Sequence, residues 1–394
     1  MRRKTPCFSY GDIRRGPKAP HYSVSCSTIE RRREPVRKTF KYRIYPTRIQ
    51  EQRILDTLEH CRLLYNRLLG ERKDAYDKEK HTLSAYTQIN SFPVRKDAIP
   101  ALKTVHSQVL QDVAKRLDKA FQAFFQRVKS GEKPGYPRFQ PVSRYHSFTY
   151  PQTGWKLSDR TVTLSKIGEV RMKRHRPIEG EIKTATVIAK NGKYYVAFSC
   201  DLSEQTPPAT RKPSVGADLG LKHLAITSDG EFFEAPKHLR KSERKLKRLQ
   251  RQVSRRKKGS KRRQKAVRQL ARWHEHIANQ RADNAHKVSR DLVTRYGLIV
   301  FEDLKILNMT HNHHLAKSIA DAGWNQLVQF TTYKAESAGS RVQLVNPYNT
   351  TQECSRCHAI VHKELKDRVH HCPYCGYVQD RDINAAENIL ARAV

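Results

Sequence analysis

Two Cys-x-x-Cys pairs near the end of the chain constrain its fold more than any other feature. Cys354 and Cys357 form the first pair, Cys372 and Cys375 the second, and fourteen residues separate the pairs. Four thiolates at this spacing can close a tetrahedron around one zinc ion, and a loop of this length is typical of a zinc ribbon. A closed set of four ligands has no position for water, so the spacing predicts a structural zinc site.

Two alternatives use the same part of the chain. The pairs could form disulfides, which need an oxidising compartment, but the other four cysteines are scattered without a pairing pattern: Cys7, Cys26, Cys61 and Cys200. A ligand set that includes one histidine is also open, because three histidines lie next to the thiols: His358, His370 and His371. Four cysteines already suffice for zinc.

The charge balance restricts the partners of the chain. Lysine and arginine number 77 against 38 aspartates and glutamates, which gives a net charge of +39 and a pI near 10.1. Such an excess requires a polyanionic partner. A membrane is the weaker candidate, because no apolar run approaches the roughly 18 residues of a spanning helix and the mean hydropathy is -0.78. Nucleic acid is favoured, and we expect no membrane association.

The first part of the chain divides into an arm, a strand and helices. Residues 1–37 are basic, rich in Pro, Ser and Gly, and without a hydrophobic period, which predicts a disordered arm. The alternation over 39–45 predicts a strand that stops at Pro46. Amphipathic patterns over 54–68 and 110–128 predict helices whose apolar faces form a core and whose outer faces are basic.

Residues 146–200 change to the short apolar-polar alternations of strands. Asn191-Gly192 between two β-branched and aromatic runs is the strongest hairpin signal in the chain. We therefore expect a small β-barrel over residues 38–212 that includes the strand near Lys41, with helices over about 47–130 as an insertion. Prolines then mark a linker and a domain boundary at Pro207, Pro208 and Pro213.

The next domain, 213–394, opens with an acid between glycines. Gly216, Asp218 and Gly220 share one face of a predicted strand, so the carboxylate lies between two positions without side chains. We interpret the absence of side chains at these two glycines as room for a metal ion and a phosphodiester to approach Asp218. The chain continues as a meander that turns at residues 228–230, and an acid on the first strand of a meander is a nuclease arrangement.

A long basic segment follows. Half of residues 237–272 are Lys or Arg, and acids that could form i,i+4 pairs with them are nearly absent. Like charges at this density repel unless phosphates lie between them. The segment 237–290 is therefore predicted to be one basic helix that binds RNA or DNA and ends before Gly297.

Two further acids follow in sequence. The unbroken apolar run Leu298 to Phe301 predicts a strand buried on both faces, and an acid at its end, Glu302, is costly unless it meets a cation. We expect Asp303 to cap the next element. Asp382 lies at the start of a final helix, where Asp380 is its rival and simple helix capping is the alternative for both.

Three acids in this order, on a first strand, a buried strand and a last helix, indicate an RNase H-type fold with a RuvC-like site. Carboxylates of Asp218, Glu302 and Asp382 could hold two Mg²⁺ ions that activate water and stabilise the leaving oxygen of a phosphodiester. Asp218 is the candidate to bridge both ions. The predicted products are a 5′-phosphate and a 3′-hydroxyl. The fold class is α+β and multidomain, with a zinc-ribbon insertion over 350–379.

The chain resembles the TnpB (OrfB) proteins encoded by bacterial and archaeal insertion sequences. The resemblance covers residue 38 to the end and includes the four cysteines of the two pairs. The other matching stretches are residues 41–47, Tyr65-Asn66, 135–139, 216–220 with 228–230, 301–304, 333–335 and 380–386. His358 stands where the family usually has glycine, and the arm has no counterpart.

The resemblance implies an RNA-guided DNA endonuclease related to type V CRISPR effectors. It implies a wedge-like barrel, a helical recognition insertion, and a RuvC-like domain with catalytic acids Asp218, Glu302 and Asp382. Its partners would be a guide RNA from the element and target double-stranded DNA, and we expect a cytoplasmic, nucleoid-associated monomer. A DNA transposase that joins strands, and a guided repressor that binds without cutting, are the alternatives.

Overall fold

The computed structural model describes residues 37–202, 210–364 and 366–393. The predicted arm, except for its last residue, and the linker prolines Pro207 and Pro208 lie outside these residues. None of the described helices combines the length and the apolar character needed to cross a bilayer.

A seven-stranded antiparallel sheet forms the first layer. Its strands are β1 (Arg37–Tyr45), β2 (Ser147–Tyr150), β3 (Trp155–Leu157), β4 (Thr161–Leu164), β5 (Gly168–Lys173), β6 (Glu181–Lys190) and β7 (Lys193–Asp201). They lie in the order β2-β6-β7-β1-β5-β4-β3, so the predicted strand before Pro46 is the central one. The predicted hairpin joins β6 to β7, with Asn191 and Gly192 at φ 53° and 72°, as a two-residue type I′ turn requires.

The expectation of a closed β-barrel is wrong. β2 and β3 are the two edges of the sheet, and no pairing joins them in the part of the chain that the structure describes. Residues 151–154 connect these edges, so the sheet curls until the edges are neighbours. His106 packs into this junction, 5.7 Å from the Tyr150 ring centroid and against Gly154, where a closing ladder would have to run.

Helices fill the sequence between β1 and β2: α1 (Arg48–Glu79), α2 (Ala85–Asn90), α3 (Phe92–Ala98) and α4 (Ser107–Lys129). Thr47 and Gln50 form a capping box that starts α1 right after Pro46. Arg72, which is buried, donates to Gln88 at 2.9 Å and to Asp118 at 3.1 Å, which ties α1 to α2 and α4. The two long helices agree with the amphipathic patterns; α2 and α3 were not predicted because they are short.

A second, five-stranded sheet follows, with β8 (Ser214–Asp218), β9 (His223–Thr227), β10 (Phe232–Glu234), β11 (Leu298–Glu302) and β12 (Arg341–Val345). The order is β10-β9-β8-β11-β12. β8 to β10 form the antiparallel meander, and β11 lies parallel to both of its neighbours. Ile299, Val300 and Phe301 are fully buried, so the prediction of a strand covered on both faces is confirmed.

The helices of this part are α5 (His238–Ser254), α6 (Lys261–Arg295), α7 (Ile306–Met309), α8 (His313–Ala322) and α9 (Trp324–Ala338). The prediction of one basic helix is wrong, because the chain turns through Gly259 at φ 83° and restarts at Ser260, whose side chain caps α6. Gly323, at φ 68°, divides α8 from α9: it is the left-handed C-cap of α8, and its N–H bonds the Ile319 carbonyl. α5 instead ends at Arg255, which has right-handed backbone angles.

The C-terminal segment contains two short paired strands, β13 (Val369–His371) and β14 (Val378–Asp380), followed by α10 (Arg381–Ala391). Two hydrophobic clusters carry the fold. One lies between the seven-stranded sheet and α1 and α4, and it includes Tyr42, Leu68 and Leu117. The other surrounds β8 and β11 and includes Leu292 and Leu327.

Candidate metal centres

Asp218 is the last residue of β8, at the edge where two parallel strands end. Ala217 pairs with Phe301 of β11, so Asp218 and Glu302 are the next positions on adjacent strands. Paired positions on parallel strands direct their side chains to the same face. The parallel register therefore brings two acids together that are far apart in sequence.

Glu302 is a buried acid with a defined partner. Glu302 is 8% exposed, and the hydroxyl of Thr350 donates a hydrogen bond to Glu302 Oε1. Burial raises the pKa of the Glu302 carboxyl, against the opposing effects of the Thr350 hydrogen bond and the charge of Arg392. A desolvated carboxylate of this kind is stabilised by a cation.

Asp380 and Asp382 have different tasks at the start of α10. The carboxylate of Asp380 is the N-cap: its Oδ1 accepts from the backbone N–H groups of Asp382 at 2.8 Å and Ile383 at 3.3 Å. The side chain of Asp382 is not used for capping, and its Oδ1 accepts from Arg381 Nε at 3.3 Å. Between the two rivals, the cap geometry favours Asp382 as the acid available to a metal ion.

The charges of both other acids act on Asp218. Burial is the largest influence on its pKa, followed by the charges of Glu302 and Asp382, and together they raise it to about 8. Arg381 opposes this shift. Asp218 thus experiences both other carboxylates, one from the neighbouring strand and one from the last helix.

Gly216 has a different role from the one predicted. A Cβ at this position would lie 2.0 Å from the carbonyl oxygen of Ala386 and 2.8 Å from the backbone nitrogen of Leu390. The backbone of α10 therefore packs directly against Gly216, which has no side chain to exclude it. At Gly220 a Cβ would lie 2.9 Å from the His223 carbonyl oxygen, which reflects a tight turn. Neither glycine opens space for a metal ion; Gly216 admits the helix that carries Asp382.

Four thiols converge beside this site. The Sγ atoms of Cys354, Cys357, Cys372 and Cys375 all lie within 4.8 Å of one another, with 3.7 Å between Cys354 and Cys375 and 3.5 Å between Cys357 and Cys372. Sulfurs bound to one zinc at about 2.3 Å are about 3.8 Å apart in a tetrahedron. The donor set and its dimensions fit a four-thiolate metal site.

The neighbouring histidines have other partners. His358 Nδ1 lies 2.9 Å from Glu353 Oε1, and His370 Nδ1 lies 2.6 Å from Lys363 Nζ. Among the described residues, the group of His, Cys, Asp and Glu side chains close enough to share one ion consists of the four cysteines alone. The geometry favours the all-cysteine set over the set with one histidine.

Two asparagines attach the thiol cluster to α10. Asn384 donates to the Glu353 carbonyl at 2.8 Å and accepts from the backbone N–H of Ser355 at 3.0 Å. Asn388 donates to the carbonyls of Thr350 at 2.9 Å and Glu353 at 2.8 Å. Ser355 lies within the first Cys-x-x-Cys pair, so one helix face holds the thiol cluster while its first turn presents Asp382.

Sequence reasoning missed these asparagines and Thr350. Asn384 and Asn388 lie four residues apart on one face of α10, opposite Ala386 and Leu390, which contact Gly216 of β8, and they are 0% and 2% exposed. Polar side chains at i and i+4 in a helix that is otherwise apolar on both sides of them indicate buried hydrogen bonds to a neighbouring segment. That signal could have identified both asparagines; no local signal identifies Thr350.

Carboxylates at the edge of a mixed sheet, a four-thiol cluster and two long basic helices characterise an α+β protein with two candidate metal centres. Three family profiles match the chain: "Probable transposase" (OrfB of the IS605 type) at residues 197–313, "Cas12f1-like, TNB domain" at 324–389 and a helix-turn-helix domain of OrfB at 36–81.

Full-length comparisons agree with these profiles. The chain is 33% identical to "Putative RNA-guided DNA endonuclease InsQ" of Escherichia coli (strain K12), over 90% of this chain and 92% of that protein. It is 34% identical to "Putative RNA-guided DNA endonuclease" of Streptomyces pristinaespiralis, over 91% and 90%. The chain belongs to the TnpB (OrfB) family, which confirms the resemblance seen in its sequence.

One solved structure shares the fold. The mini-RNA-guided endonuclease CRISPR-Cas_phi3 matches with a TM-score of 0.51 and 9% identity, over 91% of this chain and 92% of that one. At this identity the likeness concerns the mixed α+β architecture alone.

Proposed function

We propose that this protein is an RNA-guided DNA endonuclease of a transposable element, which hydrolyses phosphodiesters at Asp218, Glu302 and Asp382. The proposal is supported by the parallel register that places Asp218 and Glu302 at adjacent strand ends, and by the charges of Glu302 and Asp382, which both raise the pKa of Asp218. Like charges crowded at a desolvated position are stabilised by cations between them. We infer the RNA guide and the DNA substrate from the names of the InsQ and Streptomyces relatives.

The strand order supports a finer assignment of the domains. A meander followed by two parallel strands, with acids at the ends of the first and fourth strands, is the arrangement expected of an RNase H-like, RuvC-like domain over residues 213–394. The zinc-ribbon insertion is assigned to 350–379. Residues 38–212 are assigned to a wedge-like domain with the helical recognition insertion.

Carboxylate oxygens are the ligands that Mg²⁺ prefers, so Asp218, Glu302 and Asp382 would hold it. Two ions bound there would lower the pKa of a water molecule and stabilise the leaving oxygen of the phosphodiester. Asp218 would contribute to holding both ions, because the charges of both other carboxylates act on it. Thr350 holds one oxygen of Glu302, Asp380 fixes the first turn of α10, and Arg381 contacts Asp382.

The four thiols would hold one zinc ion with a structural role. Their closed set has no position for a substrate. The hydrogen bonds from Asn384 and Asn388 then give this ion a specific task, which is to fix the helix that carries Asp382.

The test uses the purified chain with the RNA that accompanies it and a DNA duplex matched to that RNA. We expect cutting with Mg²⁺, and we expect Asp218→Ala to lose cutting while it retains DNA binding. Asp303→Asn is the matched control, because Asp303 is adjacent to Glu302 but pairs with Lys305. The expectation that Asp303 caps the next element is wrong, because the N-cap of α7 is Lys305.

Three outcomes would contradict the proposal. Cutting that survives Asp218→Ala removes the site assignment. Binding of matched DNA without cutting by the wild-type chain supports a guided repressor. Strand-transfer products formed by the protein alone support a transposase.

A further inference from the structure

The turn that joins β9 to β10 lies against two elements that carry acids of the candidate nuclease site, β8 and α10. We call residues 227–231 the meander turn. Thr227 pairs with Ala217 in the β8–β9 ladder. The next residue, Ser228, therefore lies opposite Gly216 of β8. The meander turn thus contacts the strand that ends in the first acid.

Ser228 holds Gly216 by two hydrogen bonds. The backbone N–H of Ser228 donates to the Gly216 carbonyl at 2.9 Å, and Ser228 Oγ accepts from the Gly216 N–H at 3.1 Å. Two residues that form a hydrogen-bonded pair in an antiparallel ladder exchange both bonds through their backbones, but here a side-chain hydroxyl replaces one carbonyl. Gly216 is buried, and a buried N–H that lacks an acceptor is costly. The Ser228 hydroxyl therefore stabilises this part of β8.

Gly216 is the point at which β8 meets α10. It precedes Asp218 by two residues on the same strand, and a Cβ at its position would lie 2.0 Å from the backbone of α10. The meander turn also reaches the start of that helix, because a Cβ at Gly230 would lie 3.8 Å from Ile383 Cδ1. Ile383 directly follows Asp382. A shift of the meander turn would therefore alter the distance between two of the carboxylates.

Other contacts hold the meander turn in place. The Asp229 carboxylate accepts hydrogen bonds from the hydroxyls of Thr227 and Tyr296, and Glu231 forms an ion pair with Arg295. Arg295 and Tyr296 lie where α6 ends and the chain enters β11. The turn is therefore also fixed to the segment that leads into the strand of the third acid.

We infer that Ser228 is a positioning residue of the nuclease site, because its bond to Gly216 sets Asp218 against the helix that carries Asp382. Within the described residues the Ser228 hydroxyl bonds Gly216 alone, whereas the network around Asp229 holds the turn itself. The inference rests on the proposed function in taking these carboxylates as ligands of Mg²⁺. Its consequence is that loss of one hydroxyl should weaken Mg²⁺ binding more than it weakens the fold.

The first experiment measures the melting temperature of the full chain over a range of Mg²⁺ concentrations, for Ser228→Ala and for the control Ser289→Ala. Ser289 is fully buried and its Oγ accepts from Lys334 Nζ at 2.6 Å, so the control loses a hydrogen bond without touching Gly216. Both variants should melt below the wild type without Mg²⁺. Ser228→Ala alone should need several-fold more Mg²⁺ to reach half of its Mg²⁺-dependent stabilisation. Ser228→Thr, which keeps a hydroxyl, should restore the wild-type midpoint.

The second experiment measures single-turnover cutting of matched DNA. Ser228→Ala should cut about tenfold more slowly at saturating Mg²⁺, because a displaced carboxylate misplaces the reacting groups. Its DNA binding and its zinc content should stay at the wild-type values. Ser289→Ala and Ser228→Thr should cut at the wild-type rate.

The outcomes separate this inference from the proposed function. Equal Mg²⁺ midpoints for Ser228→Ala and Ser289→Ala overturn the inference, even where the wild type cuts DNA. A wild type that binds Mg²⁺ but does not cut contradicts the proposed function, while a raised midpoint in Ser228→Ala would still support the positioning role. If Ser228→Ala does not fold, Ser228→Cys takes its place, because a thiol keeps the side-chain shape but accepts hydrogen bonds weakly. An unchanged midpoint in that variant overturns the inference.

Discussion

The thiol cluster and the carboxylate cluster are both candidate metal centres, yet they are built in opposite ways. The four thiols come from one short segment, Cys354 to Cys375, and close completely on one another. The three carboxylates come from β8, β11 and α10 and remain open enough that Asp218 is half-buried. A local segment can build a closed structural site by its spacing alone, whereas an open site for chemistry requires the fold to bring distant acids together.

The two centres nevertheless share one helix. α10 packs its backbone on Gly216, attaches the thiol cluster through Asn384 and Asn388, and presents Asp382 from its first turn. The comparison therefore predicts that damage to the closed site reaches the open one, while damage to the open site leaves the closed one intact.

Loss of Cys372, one of the four proposed zinc ligands, should have the largest effect. Zinc binding contributes about 10 to 16 kcal/mol to the folding of isolated fingers, so Cys372→Ser should lose the metal, lower the melting temperature and abolish DNA cutting. Elemental analysis should find one zinc per wild-type chain and none in the variant. His371→Ala is the control and should keep its zinc; loss of zinc from this control would instead indicate a histidine ligand.

Exchange of the two acids at the start of α10 should separate a metal ligand from a cap. Asp382→Asn should reduce the cutting rate by about a thousandfold, which corresponds to about 4 kcal/mol in the barrier, while zinc content stays at one per chain. Asp380→Asn should have a small effect, because asparagine caps a helix as well as aspartate does. Equal losses in single-turnover cutting would contradict the division of roles between these residues.

The link between the two centres is tested at Asn388. Asn388→Ala leaves the carbonyl of Thr350 without its donor and the carbonyl of Glu353 with Asn384 alone, and a buried group left unsatisfied costs about 1 to 3 kcal/mol. We expect a lower melting temperature and slower cutting with the zinc retained. Glu387→Gln, which keeps a side-chain oxygen for Ser355, is the milder control. Unchanged cutting in Asn388→Ala would show that the two centres are independent.

The carboxylate cluster should make the stability of the metal-free protein depend on pH. Burial and the charges of Glu302 and Asp382 raise the pKa of Asp218 to about 8, above the value of about 3.9 in an unfolded chain. The native state therefore binds this proton more tightly. Its contribution to stability is complete below about pH 4 and is lost as pH rises toward about 8.

Asp218→Asn has no such titration. The melting temperature of the variant minus that of the wild type, without added Mg²⁺, should therefore increase from about pH 5 to about pH 9. Millimolar Mg²⁺ should stabilise the wild type and remove the difference. A difference that is constant with pH would contradict the raised pKa of Asp218.

The smallest effect is expected inside the closed centre. His358 follows the first cysteine pair at φ 59°, and Gly376 follows the second at φ 70°. A non-glycine residue in this region costs about 1 kcal/mol or more, while the added freedom of glycine in the unfolded chain offsets about half of that. His358→Gly should raise the melting temperature slightly, and Gly376→Ala should lower it. Destabilisation by His358→Gly would show that the His358–Glu353 contact matters more than the backbone.

Predictions from sequence succeeded where local chemistry decides the structure. The Asn191-Gly192 hairpin, the strand before Pro46 and the apolar run of β11 all follow from backbone preferences or from hydrophobic burial within a few residues. They failed where a contact with a distant segment decides. The first sheet stays open between β2 and β3, where His106 from the start of α4 packs against Tyr150. The division of the basic segment is different, because it occurs in a local loop, residues 255–260, that contains Gly259 at a positive φ.

The sequence by itself determined the four-thiol cluster and the identity of three acids on two strand ends and a helix start, because residue spacing and strand period are local properties. Only the tertiary structure decided that Asp218 and Glu302 end adjacent parallel strands and that Asp380 is a cap. It also decided that the backbone of α10 packs directly against Gly216, where a side chain would not fit. The reason is that a parallel strand register and a helix packed on a sheet bring together residues whose relative positions no local pattern encodes.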